Sequence, residues 1–324
     1  MSSQLDPTQP TPFDDAFFQH SLPQYYRAIL QSFRKVTSSF ITFHLAFSIA
    51  LILETCLFIP LIAKPLLFAL GLGLFFLTGF TYVVLLFYFQ AKKPEQLIAI
   101  RDQFLQSCRQ LLPSPPGEAQ HHLSLAAALL KLSAYLDDFE TRFYSIPSYL
   151  QLFTPMIQRL SHYCYHKDIF RMQQLLLHAA AEEHLKQIRI TPTDLEVHAS
   201  LANTYVDLSE LYSPYEEYED RYKNGARLAI EEFRILSHYA PNDPWAHEQL
   251  ADGYRAMKML KEETEEIELL SKLRPQDPEV LFRLGTLYFE QGENAKGLKI
   301  YEELASMNYK KGEELIAQYG SARI

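Results

Sequence analysis

An all-α fold is predicted, because apolar residues recur at helical spacing along the chain and strand-type alternation is absent. Two further observations refine this fold class. Residues 40–89 form two long apolar segments. The distal part repeats a pattern of large and small side chains about every 34 residues. We therefore expect a two-helix transmembrane hairpin followed by a cytosolic solenoid of helix pairs.

The apolar segments run from Phe40 to about Phe58 and from Leu66 to Phe89, and they meet at a short turn around Lys64. About 20 helical residues cross a hydrocarbon core about 30 Å thick, so each segment is long enough to span a membrane. A buried soluble helix pair and a cleavable signal peptide are the alternatives. Both are disfavoured, because the second run exceeds what a core helix needs and a second span follows the first directly.

Charge predicts the orientation of the hairpin. Basic residues flank it on both outer sides, whereas the turn offers only Lys64; the flanking residues are Arg27, Arg34, Lys35, Lys92, Lys93 and Arg101. The positive-inside rule then places both termini in the cytosol of a bacterial inner membrane, with lipid as one partner.

Two polar residues lie inside the predicted spans. Glu54 is at a depth similar to that of Thr78 on the returning helix, and we expect a hydrogen bond between them. A functional role for Glu54 is the alternative, since ionisable groups within spans often serve function. Gly71, Gly73 and Gly79 predict a close approach of the two helices.

The other boundaries follow from composition. Residues 1–23 are rich in proline and polar residues and predict a flexible tail, and residues 24–39 predict a juxtamembrane amphipathic helix lying on the membrane. A helix is expected to start at Pro94 and to open a helical domain over 94–190. For that domain, degenerate repeats and a plain bundle remain open.

Composition also bounds the partners. Residues 1–190 hold 15 basic and 13 acidic residues, and residues 191–324 hold 15 basic and 26 acidic ones, a net charge of −11. We expect this distal part to repel nucleic acid and to favour basic partners. The three cysteines form no C-x-x-C pair, which fits a reducing compartment.

The repeated pattern is clearest after residue 190. Large and small side chains recur at fixed positions of units starting at Leu195, Pro244 and Pro278, and Glu263 stands where a small residue is expected, which predicts loose packing there. The predicted packing residues are Leu201, Ala202, Tyr205, Ala229, Leu250, Ala251, Tyr254, Pro275, Leu284, Gly285, Tyr288 and Tyr301. They resemble the tetratricopeptide repeat (TPR). Repeats are thus expected over 191–309, with an insertion near 209–223, and a capping helix over 310–324.

The resemblance implies a peptide-binding groove lined by the first helix of each repeat. The groove residues it implies are Asn203, Trp245, Glu248, Asp252, Arg255, Glu279, Phe282, Phe289 and Glu290. This set is acidic with aromatic anchors, so the expected ligand is a basic or basic-apolar protein segment. A solvated acidic face without a ligand is the alternative.

No catalytic motif is present, and neither enzyme activity nor a cofactor is expected. His162 and His166 are four residues apart and face one side of a helix, but no further ligand cluster accompanies them in sequence, so no metal site is expected. The insertion carries four tyrosines in an acidic run, for which a solvated helical extension is the simplest interpretation and a phosphorylation or docking loop is the alternative.

Two functions remain after these exclusions. The first is a membrane-anchored scaffold that presents the repeats to cytosolic proteins. The alternative is a secreted inclusion membrane protein, because the bilobed hydropathy of the hairpin resembles that class.

Overall fold

The computed structural model describes residues 22–62, 64–112, 115, 117–137, 139–142, 152 and 154–321. These residues are predominantly helical and include no strand, which confirms the all-α class. They divide into two units, which are described separately. The hairpin domain holds the described residues of 11–116 and 124–180, and the repeat domain those of 117–123 and 181–324. Residues 1–21 of the predicted tail lie outside the described residues.

The hairpin domain is built from long helices. Helix α1 spans Leu22–Leu61, α2 spans Pro65–Leu111, α3 spans Ala119–Tyr135 and α4 spans Thr154–Ile190, the last continuing into the repeat domain; a 3₁₀ turn spans Phe139–Arg142. The most apolar stretch of α1 and that of α2 have no buried residue. Both helices are therefore long and apolar enough to span a membrane.

The outer ends of α1 and α2 have the opposite environment. Ile29 and Phe33 on α1 and Leu97 and Phe104 on α2 are at most 4% exposed. They form one core with α3 and α4, whose members there include Leu125, Leu129, Leu132, Tyr165, Ile169 and Met172. Apolar residues three and four apart give each helix one buried face.

This core corrects two expectations. The segment 24–39 does not lie on a membrane surface as a separate helix, because Phe33 is buried and α1 is continuous into the apolar segment. Nor does a helix start at Pro94, since α2 passes through that proline. Pro94 lacks one backbone N–H, and the buried face from Leu97 to Cys108 stabilises the helix beyond it.

The repeat domain consists of shorter paired helices. They are α5 (Leu195–Tyr212), α6 (Glu219–Tyr239), α7 (Pro244–Ala256), α8 (Leu260–Leu273), α9 (Pro278–Glu290), α10 (Asn294–Ser306) and α11 (Gly312–Ser321). Asp194, Asp243 and Asp277 cap the first helix of each pair, each accepting a hydrogen bond from the amide two residues on. Helix pairs of the tetratricopeptide type thus follow the hairpin.

One turn recurs at the same repeat position. Lys258 has φ 58° and Gly292 has φ 76°, and each lies between the two helices of its pair. Glycine adopts this left-handed conformation at little cost, whereas a residue with a Cβ is strained there. Lys258 therefore has a left-handed backbone at the repeat position where the next repeat has a glycine.

Two histidines make the same two contacts in the first and the second repeat. Nδ1 of His198 lies 2.6 Å from the Glu232 carboxylate, and its Nε2 lies 3.0 Å from the Pro192 carbonyl oxygen. His247 repeats both distances with Glu266 and Pro241. A ring with an acceptor at each nitrogen donates to both only as the imidazolium.

Helix α11 covers the last repeat. Leu315 is fully buried. A Cβ added at Gly285 would lie 2.6 Å from Cδ2 of Leu315. Because Gly285 has no Cβ, α11 can approach α9 closely at this position. Residues 322–324 of the predicted capping segment lie outside the described residues.

Candidate functional site

A cavity of about 570 Å³ opens on the first helices of the second and third repeats. Its wall contains five side chains that the repeat pattern assigned to the groove: Glu248, Arg255, Glu279, Phe282 and Glu290. The caps at Asp243 and Asp277 fix the starts of α7 and α9, and the helical period then brings these positions to one side. The cavity is the candidate site of this chain.

The carboxylates of the cavity region are paired within the chain. Glu248 lies 3.1 Å from Arg274, and Asp252 lies 2.6 Å from Arg283. Glu279 accepts a hydrogen bond of 2.6 Å from the Tyr309 hydroxyl and one of 3.0 Å from Lys311. Both hydrogen bonds lower the pKa of Glu279, and the one from Tyr309 has the larger effect.

The pairs change the electrostatics expected of the groove. Attraction of a basic segment needs unpaired carboxylates, and three of the four predicted ones face an arginine or a lysine. Arg274, Arg283 and Lys311 were not assigned to the groove from sequence, because they come from other repeat positions or from the segment after α10. The walls are therefore of mixed charge.

Phe282 and Trp245, two of the predicted groove residues, lie in different environments. Phe282 is partly exposed at the cavity, with its ring 6.3 Å from that of Tyr309. Trp245 is half-buried and meets the Phe233 ring edge-on at 5.6 Å, so part of its surface already belongs to the core. Asn203 on α5 is partly exposed.

Phe289 requires a correction, because it is not a groove residue in this structure. It is 5% exposed, and its ring lies 5.3 Å from the ring of Tyr319 on α11. A Cβ at Gly297 would fall 2.5 Å from its Cε1 atom. The capping helix thus converts a position that faces a groove in the resemblance into a core position.

Most of the predicted packing residues are buried in the repeat domain. The buried ones are Leu201, Ala202, Ala229, Leu250, Ala251, Tyr254, Leu284, Gly285 and Tyr288. Tyr205 and Tyr301 are half-buried, and Pro275 is exposed between α8 and α9.

The second repeat is not loosened by Glu263. This carboxylate is buried and accepts hydrogen bonds from Nε and Nη2 of Arg283 at 3.0 and 2.7 Å. The same guanidinium reaches Asp252 through Nη1 at 2.6 Å. The buried ion pair between Glu263 and Arg283 therefore takes the place of the small residue that the repeat pattern has at position 263.

The tyrosine-rich insertion is ordered in the structure. It comprises the end of α5, a 3₁₀ turn over Glu216–Tyr218 and the start of α6. Tyr212 is buried, and the Arg221 guanidinium lies 5.9 Å from its ring and 5.3 Å from the ring of Tyr218. The insertion is thus a helical extension with its own aromatic contacts.

Polar contacts also join the two apolar helices. The Thr78 hydroxyl donates to the Glu54 carboxylate at 2.7 Å, and Nδ1 of His44 lies 2.9 Å from the Tyr82 hydroxyl. Gly73 and Gly79 do not mediate the close contact that was expected of them, because a Cβ at either position would meet nothing within 4 Å. Side-chain hydrogen bonds and aromatic contacts, rather than small residues, connect the helices here.

No protein-family model matches the chain. No curated protein matches it either. Among solved structures, it is similar to TTC0263, a thermophilic TPR protein of Thermus thermophilus, at 17% identity and a TM-score of 0.34, covering 73% of this chain and 94% of that one.

Two further matches are structures of human IFIT1. The dimer with PPP-AAAA matches at 12% identity and a TM-score of 0.35 over 71% of this chain and 62% of that one. The dimer with m7Gppp-AAAA matches at 14% identity and a TM-score of 0.22, over 69% and 72%.

These matches correct the expectation that nucleic acid is excluded as a partner. A helical protein to which this chain is similar occurs with PPP-AAAA and m7Gppp-AAAA. The exclusion was drawn from the net charge of residues 191–324, and net charge does not fix the potential at one surface. The cavity wall itself carries Arg255 and Arg283.

Proposed function

We propose that this protein is a membrane-anchored scaffold whose repeats bind a segment of another protein in the cytosol. The hairpin crosses a bacterial inner membrane twice and leaves both termini in the cytosol. One observation carries the proposal: α1 and α2 bury their outer ends in a core, whereas their apolar parts next to the turn have no buried residue. No observation on the described residues favours the alternative of a secreted inclusion membrane protein.

The exposed apolar surface supports anchoring in lipid. Leu45, Ile52, Leu57, Leu70 and Phe80 are each more than half exposed. A soluble monomer rarely exposes a contiguous apolar surface of this size. In a bilayer the same side chains face acyl chains. The polar pairs Glu54–Thr78 and His44–Tyr82 then supply hydrogen bonds that lipid cannot.

The cavity supports binding of a protein segment. It is open and has polar and apolar walls, and its residues project from helices whose starts are capped. Phe282 supplies an apolar contact, and the arginines and carboxylates around it supply hydrogen bonds. A few aromatic and arginine residues commonly dominate the binding energy of such an interface.

Site-specific photo-crosslinking in the native membrane tests the groove. A photoreactive amino acid at Phe282 is expected to give a discrete cross-linked protein band. The matched control is the same amino acid at Leu269, an exposed apolar position on α8 that is not among the cavity-lining residues. Equal cross-linking at both positions, or none at Phe282, contradicts the proposed groove.

A further inference from the structure

Two histidines and a glutamate meet at one point of the hairpin domain. His162 and His166 are four residues apart on α4, so their rings lie on the same face, with centroids 4.4 Å apart. Glu140 comes from the 3₁₀ turn before α4. Its Oε1 lies 3.0 Å from Nδ1 of His162 and 3.4 Å from Nδ1 of His166.

Two of the three distances in this cluster are close to those of a metal-binding set. Zinc binds histidine nitrogen at about 2.0–2.1 Å and carboxylate oxygen at about 2.0–2.2 Å, so ligand atoms on one tetrahedral ion are roughly 3.3–3.5 Å apart. One ligand atom from each of Glu140, His162 and His166 lies within 4.8 Å of the other two. All three atoms are therefore close enough together to be candidate ligands of one ion.

Glu140 supplies a second, independent observation. It is 6% exposed, and its Oε2 atom is buried without a hydrogen-bond donor among the residues that the structure describes. Its backbone is held in place, because the Ser161 hydroxyl donates to the Glu140 carbonyl at 2.6 Å. A buried carboxylate oxygen without a donor is costly, and a cation at this point compensates it.

A purely hydrogen-bonded cluster explains the arrangement less well. Both imidazole Nδ1 atoms converge on one oxygen of Glu140, while the other oxygen has no donor within the described ranges. If both rings were protonated, two like charges would face each other with centroids 4.4 Å apart. A metal ion removes both difficulties, because neutral imidazole nitrogens and a carboxylate are its ordinary ligands.

We propose that Glu140, His162 and His166 form a site for a divalent transition-metal ion, with Zn²⁺ as the best-fitting ion. His162 has 57% of its side chain exposed and His166 has 36%, so an ion enters from solvent. Three protein ligands leave a fourth position to water or to an external ligand. Cys164 does not belong to the set, since it packs against the apolar core.

The site escaped sequence reasoning for a definite reason. The spacing of His162 and His166 was evident, but the third ligand lies about twenty residues upstream in a turn, and its position depends on how that turn folds onto α4. A carboxylate before a helix that carries two histidines four apart is a weak signal, and only the structure brings the three together.

Equilibrium dialysis of the full-length chain without a histidine tag, in detergent at neutral pH against Zn²⁺, tests the proposal. We expect one bound Zn²⁺ per chain in the wild type. His162→Ala and His166→Ala are each expected to weaken binding by at least about tenfold, because losing a residue that only orients a ligand already costs about 10–100-fold. Glu140→Gln is expected to weaken it as well.

His238→Ala is the matched control, because His238 is an exposed histidine outside the cluster. It should bind Zn²⁺ as the wild type does. Since His162 is exposed, His162→Ala keeps the fold, which circular dichroism verifies, and this variant tests the site even if Glu140→Gln fails to fold. The visible spectrum of bound Co²⁺ gives a second readout, expected to vanish in His162→Ala. No Zn²⁺ in the wild type, or equal binding by wild type and His162→Ala, overturns the proposal.

Discussion

Four glycines inside helices, two in each domain, have opposite surroundings. In the hairpin, a Cβ at Gly73 or Gly79 would meet nothing within 4 Å. In the repeat domain, a Cβ at Gly285 or Gly297 would lie 2.6 or 2.5 Å from a side-chain carbon. The repeat domain is therefore held by close packing of its own side chains. The apolar parts of α1 and α2 next to the turn instead have no buried residue.

The largest expected effect comes from the buried ion pair of the repeat domain. Arg283→Leu leaves the Glu263 carboxylate buried without its donor, and should lower the free energy of unfolding by about 3 kcal/mol. We take the low end of the range because the Arg283 side chain is 20% exposed. Urea unfolding followed by helical circular dichroism measures it.

Two variants sharpen this prediction. Arg283→Leu combined with Glu263→Ala removes the orphaned charge and should recover most of the loss. Arg274→Leu breaks the more exposed pair with Glu248 and should cost no more than about 1 kcal/mol. Equal losses in Arg283→Leu and Arg274→Leu would show that Glu263 is not buried as described.

A smaller effect is expected from overpacking. Gly285→Leu forces a side chain against Leu315 and Ile300 and should cost about 1–3 kcal/mol. Gly73→Leu in the hairpin is its counterpart and should leave stability nearly unchanged, because open space surrounds that position. Thermal unfolding of both full-length variants makes the comparison, and an unchanged melting temperature for Gly285→Leu would break it.

The histidine links predict a pH dependence. Burial lowers the pKa of His198, but its hydrogen bonds to Glu232 and to the Pro192 carbonyl, with nearby Asp194, outweigh burial and raise it above 6.5. A raised folded-state pKa contributes stability that is fully present below pH 6.5 and is lost as pH rises through the folded value.

His198→Leu is a matched replacement, since the third repeat carries the buried Leu281 at the same position. The difference in unfolding free energy between the wild type and this variant should shrink as the pH is raised from 6 to 9. A difference that is constant with pH would contradict the imidazolium bridge.

The smallest effect concerns the turn between α7 and α8. Lys258→Gly relieves a left-handed conformation and should stabilise the protein by up to about 1 kcal/mol, less the extra entropy of the unfolded glycine. Gly292→Lys at the equivalent turn should destabilise it. Chemical denaturation of both variants measures the two opposite changes, and a change of the same sign in both would refute the equivalence of the turns.

The two domains also differ in how far sequence predicted them. In the repeats, aspartate caps, helix-starting prolines and alternating large and small residues fix each helix locally, so the spacing from Pro244 and Pro278 was informative. In the hairpin domain, Phe33 and Leu97 are buried against α3 and α4. These contacts join residues far apart in sequence, so no local pattern predicts them. The groove prediction was wrong at Phe289, because α11 covers that residue. It was also wrong about the charge of the groove, because Arg274 and Lys311 lie outside the predicted groove positions.

The proposed anchoring is tested most directly by labelling the two sides of the membrane. A single cysteine at Lys64 or at Lys310 is introduced after Cys56 and Cys164 are replaced by serine. Cys108 remains, because burial raises its pKa to about 12 and so suppresses the thiolate that reacts with a maleimide. An impermeant maleimide is then added to spheroplasts and to inverted membrane vesicles. We expect Lys64→Cys to be labelled only in spheroplasts and Lys310→Cys only in inverted vesicles. Labelling of both cysteines in the same preparation would contradict a hairpin that crosses the membrane twice.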